Sequence, residues 1–142
     1  MKKIVLLLSV AVLLSFAGLS MAQEQSTGTK TSPPATLTVT QSAVSTGIAD
    51  RQPDGAAAQF SKDITKLYYW TKIDGATEAQ TVKHIWRSNG NVVAEISLTV
   101  DKPSFRTWSN KTVTPELVGT DMSVEVVDSN GNILKKDSFK IQ

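Results

Sequence analysis

Val82-Lys83-His84-Ile85-Trp86-Arg87-Ser88-Asn89-Gly90-Asn91-Val92-Val93-Ala94-Glu95-Ile96-Ser97-Leu98-Thr99-Val100, residues 82–100, reads as two strands folded back on each other. Asn-Gly supplies two residues that tolerate positive φ, which a two-residue hairpin turn requires. Side chains alternate across a strand. Val82, His84 and Trp86 are therefore expected on one face of the first strand, with Lys83, Ile85 and Arg87 on the other. In the second strand Val92, Ala94, Ile96, Leu98 and Val100 are expected in the core, opposite Val93, Glu95, Ser97 and Thr99.

Outward from this hairpin the same short-period pattern recurs between turn residues, the signature of a sandwich or barrel. Seven strands are expected, at 37–48, 66–73, 80–87, 91–100, 105–111, 123–128 and 133–141. A second Asn-Gly pair, in Ser129-Asn130-Gly131-Asn132, predicts another tight hairpin. On the last strand Ile133, Phe139 and Ile141 are expected together, interrupted by Lys135 and Asp137. Residues 52–63 change character and are expected to hold a loop or one helical turn. Two strands have bulky groups on both faces: Leu67, Tyr69 and Ile73 oppose Tyr68 and Trp70, and Phe105 opposes Arg106 and Trp108. Either both sides of these strands are covered, or one aromatic face is exposed for binding.

The N-terminus carries an address. Lys2 and Lys3, the apolar run 4–16 and the small residues of Ser20-Met21-Ala22 have the order of an export signal, with cleavage expected after Ala22. The apolar run is short of the roughly 20 residues needed to cross a bilayer. Residues 1–22 are thus read as a signal peptide, 23–36 (Gln, Ser, Thr and Pro without apolar periodicity) as a flexible linker, and 37–142 as the folded domain. The expected location is periplasmic or secreted, without stable membrane insertion.

Of 15 basic and 13 acidic residues, two lysines leave with the signal, so the exported chain is formally neutral. A neutral chain is not expected to carry the excess of basic residues that nucleic acid or anionic lipid selects. With no cysteine there is neither disulfide nor thiol chemistry, and the roughly 120 residues left must fold on their hydrophobic core.

His84 is the single histidine, so two-histidine metal sites are excluded, and no cofactor is expected. Neither a Gly-x-Ser-x-Gly elbow nor a phosphate loop is present. A dispersed triad of Ser109, His84 and an aspartate has no local signature, being recognised by geometry. Asp128-Ser129-Asn130-Gly131-Asn132 resembles a calcium loop, but its glycine is misplaced and the bidentate glutamate is missing.

The runs FSKDITKLYYWTKI, VKHIWRSNGNVVAEISLTV, SFRTWSNK and VEVVDSNGNILKKDSFKI resemble the bacterial family catalogued as domain of unknown function 2914. The resemblance extends from about Val44 to the C-terminus. It is carried most specifically by His84 and Trp86 on one strand and by Arg106, Trp108 and Ser109 on another. It implies a small β-sandwich, often behind a signal or membrane segments, with no assigned activity. Where relatives carry a further aromatic after the last long loop, this chain has Asp121 and Met122.

The expected fold is therefore all-β, an antiparallel sandwich of about seven strands, immunoglobulin-like. Two functions fit it. The first is a non-catalytic envelope module that binds a protein or glycan through a sheet face or loop rim, with Tyr68 and Trp70 as the aromatic platform. The second is a small hydrolase or enzyme inhibitor with a pocket around His84 and Arg106. His84 itself reads either as a core histidine bonded to its neighbours or as a ligand contact. Arg106 beside Trp108 reads as a stacked strand pin or a binding pair.

Overall fold

In the computed structural model, residues 36–142 are described; the expected signal peptide and the expected linker as far as residue 35 lie outside the described residues. Seven long strands form, as the alternation predicts: β1 (Thr38–Ser45), β5 (Lys66–Asp74), β6 (Gln80–Ser88), β7 (Asn91–Val100), β8 (Ser104–Thr112), β9 (Met122–Val127) and β10 (Ile133–Ile141). Three short ones join them, β2 (Gly47–Ala49), β3 (Gln52–Asp54) and β4 (Gln59–Phe60), along with a 3-10 turn at Pro115–Leu117.

β1-β5-β8 make one sheet, β4-β10-β9-β6-β7 a second, and β2-β3 a separate hairpin. Every pairing is antiparallel except β4 with β10, where Gln59 and Phe60 run parallel to Lys140 and Ile141. The two larger sheets face each other as a β-sandwich. Their inner faces meet in a core of Leu67, Tyr69, Ile73, Val82, Trp86, Val124, Val126, Phe139 and Ile141, each at most 3% exposed. Trp86 meets Phe139 edge-on, ring centroids 6.0 Å apart, and Phe139 meets Phe60 in the same way at 6.0 Å. Such contacts add modestly to the area buried.

The founding hairpin forms as expected: Asn89 and Gly90 take φ of 49° and 83°, a pair that matches the twist of the flanking strands. Its phase differs in one place. Trp86 pairs with Ala94 but Arg87 pairs with Val92, so Val93 is an extra residue in a bulge. The bulge reverses the alternation, and Val92 lies half exposed on the outer face instead of in the core. From Ala94 to Val100 the expected face holds, partly buried because β7 is an edge strand.

A second bulge, between Ile133 and Lys135, leaves Ile133 59% exposed, whereas Asp137 beyond it stays on the inner face with Phe139 and Ile141. The turn before it also departs from expectation. Gly131 has φ of 85°, but Asn130 stays at negative φ, because Asp128 closes the loop itself. Its carboxylate accepts the backbone N–H groups of Asn130 and Asn132, each at 2.9 Å. These bonds hold the Asp128 carboxyl below the usual carboxylate range, led by the Asn132 N–H.

The expected first strand breaks at Thr46, and residues 52–63 contain β3 and β4 instead of a helical turn. Asp50 and Arg51 form the tip of the β2–β3 hairpin with φ of 49° and 60°, the same two-residue turn built without glycine. Gly75 is required where it stands: φ is 105°, and a Cβ there would lie 2.6 Å from the Thr36 carbonyl oxygen.

Candidate functional site

Alternation on three strands sends Thr71, His84, Trp86 and Ser109 into the space between the sheets, where polar groups need partners. They find each other. Ser109 Oγ lies 2.7 Å from His84 Nδ1 and 3.1 Å from Trp86 Nε1. Thr71 Oγ1 lies 3.3 Å from His84 Nε2 and 3.3 Å from the Thr107 carbonyl oxygen.

The Thr107 carbonyl can only accept, so Thr71 gives it its one hydroxyl proton and must accept from His84, which fixes the direction of the whole chain. Trp86 Nε1–H donates to Ser109, Ser109 donates to His84 Nδ1, His84 Nε2–H donates to Thr71, and Thr71 donates to Thr107. This assigns the neutral Nε2–H tautomer. Burial pushes the His84 pKa down to about 3, so the ring is uncharged at neutral pH. Tyr69 packs edge-on against it with centroids 4.9 Å apart.

A serine 2.7 Å from a histidine nitrogen has the spacing of a nucleophile and its base. Here the histidine's far nitrogen meets a threonine where a carboxylate would be, and an indole occupies the serine oxygen. The exposures are 0% for Thr71, His84 and Trp86 and 4% for Ser109. The core reading of His84 is the one the geometry bears out.

Arg106 does not join this group. It is exposed on the outer face of β8, because its neighbours Phe105 and Thr107 take the inner one. The pocket expected around His84 and Arg106 is therefore absent; a sheet separates them. Lys72 stands directly opposite Arg106, and one row along Trp70 stands opposite Trp108.

Trp70 is 2% exposed, so of the two alternatives for this strand it takes the covered one and not the open platform. The β2–β3 hairpin covers it, and its indole Nε1–H donates to the Arg51 carbonyl oxygen at 2.9 Å. Tyr68 and Trp108 on the same face are half-buried. β5 is thus bulky on both faces because the hairpin covers Trp70, whereas the outer face of β8 stays partly open, with Arg106 exposed and Trp108 half-buried.

Several outward residues escaped the sequence reading. Arg51 reaches over from the hairpin, its Nη2 donating to the Arg106 carbonyl oxygen at 3.4 Å. On the other sheet a shallow groove of about 460 Å³ runs past Arg87, Ser123, Ser138 and Lys140. Beside it Glu125, 5% exposed although on the outer face, lies 3.3 Å from Arg87 and 4.0 Å from Lys136. Parity along each strand carried a signal for these faces; the cross-strand register did not show in the sequence.

Among the described residues, no group of three or more His, Cys, Asp or Glu is placed to hold a metal ion, and no helix is long and apolar enough to cross a membrane. No curated protein matches the chain. The family resemblance read from about Val44 onward is found over a narrower span that begins just before β6. Residues 79–141, which include His84, Trp86, Arg106, Trp108 and Ser109, match the family described as Protein of unknown function (DUF2914).

Proposed function

We propose that this is an exported, non-catalytic β-sandwich module, periplasmic or secreted, that holds a protein or glycan partner in the cell envelope through a sheet face. One observation carries the reading. The chain of donors from Trp86 through Ser109, His84 and Thr71 to Thr107 uses the polar groups that most resemble catalytic machinery, and it is sealed between the sheets. What the surface offers is relief, charge and hydrogen-bonding groups on two outer sheet faces. Flat surfaces of this kind suit macromolecules better than small substrates. The neutral balance of residues 23–142 argues against nucleic acid and lipid as partners.

The test is affinity capture from envelope extract and on a glycan array, run beside an assay of chromogenic esters, phosphates and glycosides. The module reading expects specific capture and no turnover. Turnover that disappears in His84→Ala would instead favour the hydrolase reading, whose one supporting observation is the 2.7 Å Ser109–His84 contact.

A further inference from the structure

Three cations gather on the outer face of the three-stranded sheet without a structural use that accounts for them. Lys72 and Arg106 stand directly opposite each other in the β5–β8 register, next to Gln41 on β1. Like charges so placed repel and weaken the pairing. Arg51 adds a third, its guanidinium held over the row by the Arg106 carbonyl oxygen.

Neutralisation is slight. Lys72 has Asp74 at 3.9 Å, and Asp74 is also taken by Thr40. Among the described residues neither Arg51 nor Arg106 has a carboxylate within ion-pair distance; Asp50 shares the Arg51 turn without forming such a pair. The second sheet is different. On β6 and β10 every lysine and arginine lies near a carboxylate: Lys83 at 2.7 Å, Arg87 at 3.3 Å, Lys135 at 4.0 Å, Lys136 at 4.0 Å and Lys140 at 3.2 Å.

We infer that the Gln41–Lys72–Arg106 row, with Arg51 and the half-buried Trp108, is a docking surface for an acidic polysaccharide that carries carboxylates on its sugar rings. This rests on the binding-module reading and names its ligand class. Trp108 and Arg106 are two residues apart on one face, so about 7 Å separates them along the strand. That is the scale of one pyranose: a ring lying on the indole places its carboxylate among the cations. Arginine binds a carboxylate through two parallel hydrogen bonds. Trp70 is closed off by the hairpin, so one ring, not two, finds an aromatic floor. An acidic protein is disfavoured because the large exposed apolar side chains, Val92, Val93 and Ile133, all lie on the other sheet. This face therefore lacks large exposed aliphatic side chains, its aromatics being the half-buried Tyr68 and Trp108.

The experiment measures retardation of the full chain in gels containing polygalacturonate, with tryptophan emission read in parallel titrations. The same polymer fully methyl-esterified removes the charge and keeps the ring, and polyglutamate keeps the charge and removes the ring. Polygalacturonate alone is expected to retard the chain. Arg106→Ala and Lys72→Ala are expected to weaken binding by at least about tenfold, with unchanged circular dichroism. Trp108→Phe should abolish the emission change. Lys83→Ala, on the other sheet, should bind as the wild type does.

Equal retardation by the esterified polymer or by polyglutamate overturns the inference, the latter in favour of an acidic protein. So does wild-type binding by both cation variants. If those variants still capture a different envelope partner, the module reading survives and this site is removed. His84-dependent turnover removes the module reading itself.

Discussion

Tyr69 on β5 donates its hydroxyl to Oδ2 of Asp137 on β10 at 2.7 Å, so a charged hydrogen bond joins the two sheets. Asp137 faces inward by its parity with Phe139 and Ile141, beyond the bulge that displaces Ile133. Ser42 of β1 donates to the same oxygen at 2.5 Å. Burial first, and then the neighbouring carboxylate, push the Tyr69 phenol above its ordinary pKa, so it remains a donor through the alkaline range.

Tyr69→Phe removes the bond but leaves Asp137 with Ser42, and is expected to cost about 1–2 kcal/mol. Asp137→Ala should cost more, because it strands a phenol that is fully buried. Urea unfolding checks the order. Equal stability of Tyr69→Phe and wild type would show that the bond contributes nothing net.

His84 gives a pH dependence with a definite sign. Its folded pKa of about 3 lies below the ordinary histidine value, so the unfolded chain takes up a proton that the folded one refuses. The stabilisation is complete above the unfolded pKa and is lost as pH falls towards 3. Over that window each such proton costs about 1.4 kcal/mol per pH unit. His84→Gln, which cannot titrate, is expected to lose stability less steeply between about pH 6 and 3 than the wild type. Parallel stability curves for the two proteins would contradict the neutral, buried ring.

The three tryptophans should separate by access. Trp70 and Trp86 are 2% and 0% exposed, whereas Trp108 is half-buried on the outer face of β8. Acrylamide should quench one component of the emission, and Trp108→Phe should remove that component. Quenching that survives in Trp108→Phe would mean that the β2–β3 hairpin leaves Trp70 open to solvent.

Much of this arrangement was legible because period-two alternation depends on single residues. Val82, His84 and Trp86 face inward as the alternation requires, and the seven long strands fall within a residue or two of their expected ends, apart from β1, which stops at Thr46. Failures came where one extra residue changes the phase. Val93 and Leu134 are ordinary strand formers, and nothing local marks them as bulges; each exists because the partner strand is shorter by one residue there. Cover was also illegible. Whether Trp70 is covered or open is decided by a turn at Asp50 and Arg51 that glycine and asparagine usually provide. The Ser109–His84 contact needed a register between strands on different sheets, which composition does not encode. Arg106 could have been separated from Ser109 by parity alone, since 106 and 109 differ by an odd number.

That unusual turn supplies the last test, because it sets stability against the inferred surface. Asp50 and Arg51 both hold left-handed φ, a conformation that is costly for residues with a Cβ. Three bonds nonetheless keep the hairpin down: Trp70 Nε1–H to the Arg51 carbonyl at 2.9 Å, Thr46 N–H to the Gly55 carbonyl at 3.3 Å, and Ala57 N–H to the Val44 carbonyl at 3.1 Å. Each of these uses Arg51 through its backbone or not at all, so replacing the side chains should leave them intact. Asp50→Asn with Arg51→Gly installs the preferred Asn-Gly turn and is expected to stabilise the domain by about 1 kcal/mol. A melting temperature a few degrees higher would register it. The same double variant removes one of the three cations, so retardation by polygalacturonate should fall while stability rises. A lower melting temperature would instead mean that the Arg51 side chain, through its bond to the Arg106 carbonyl, holds the hairpin more strongly than the turn strains it.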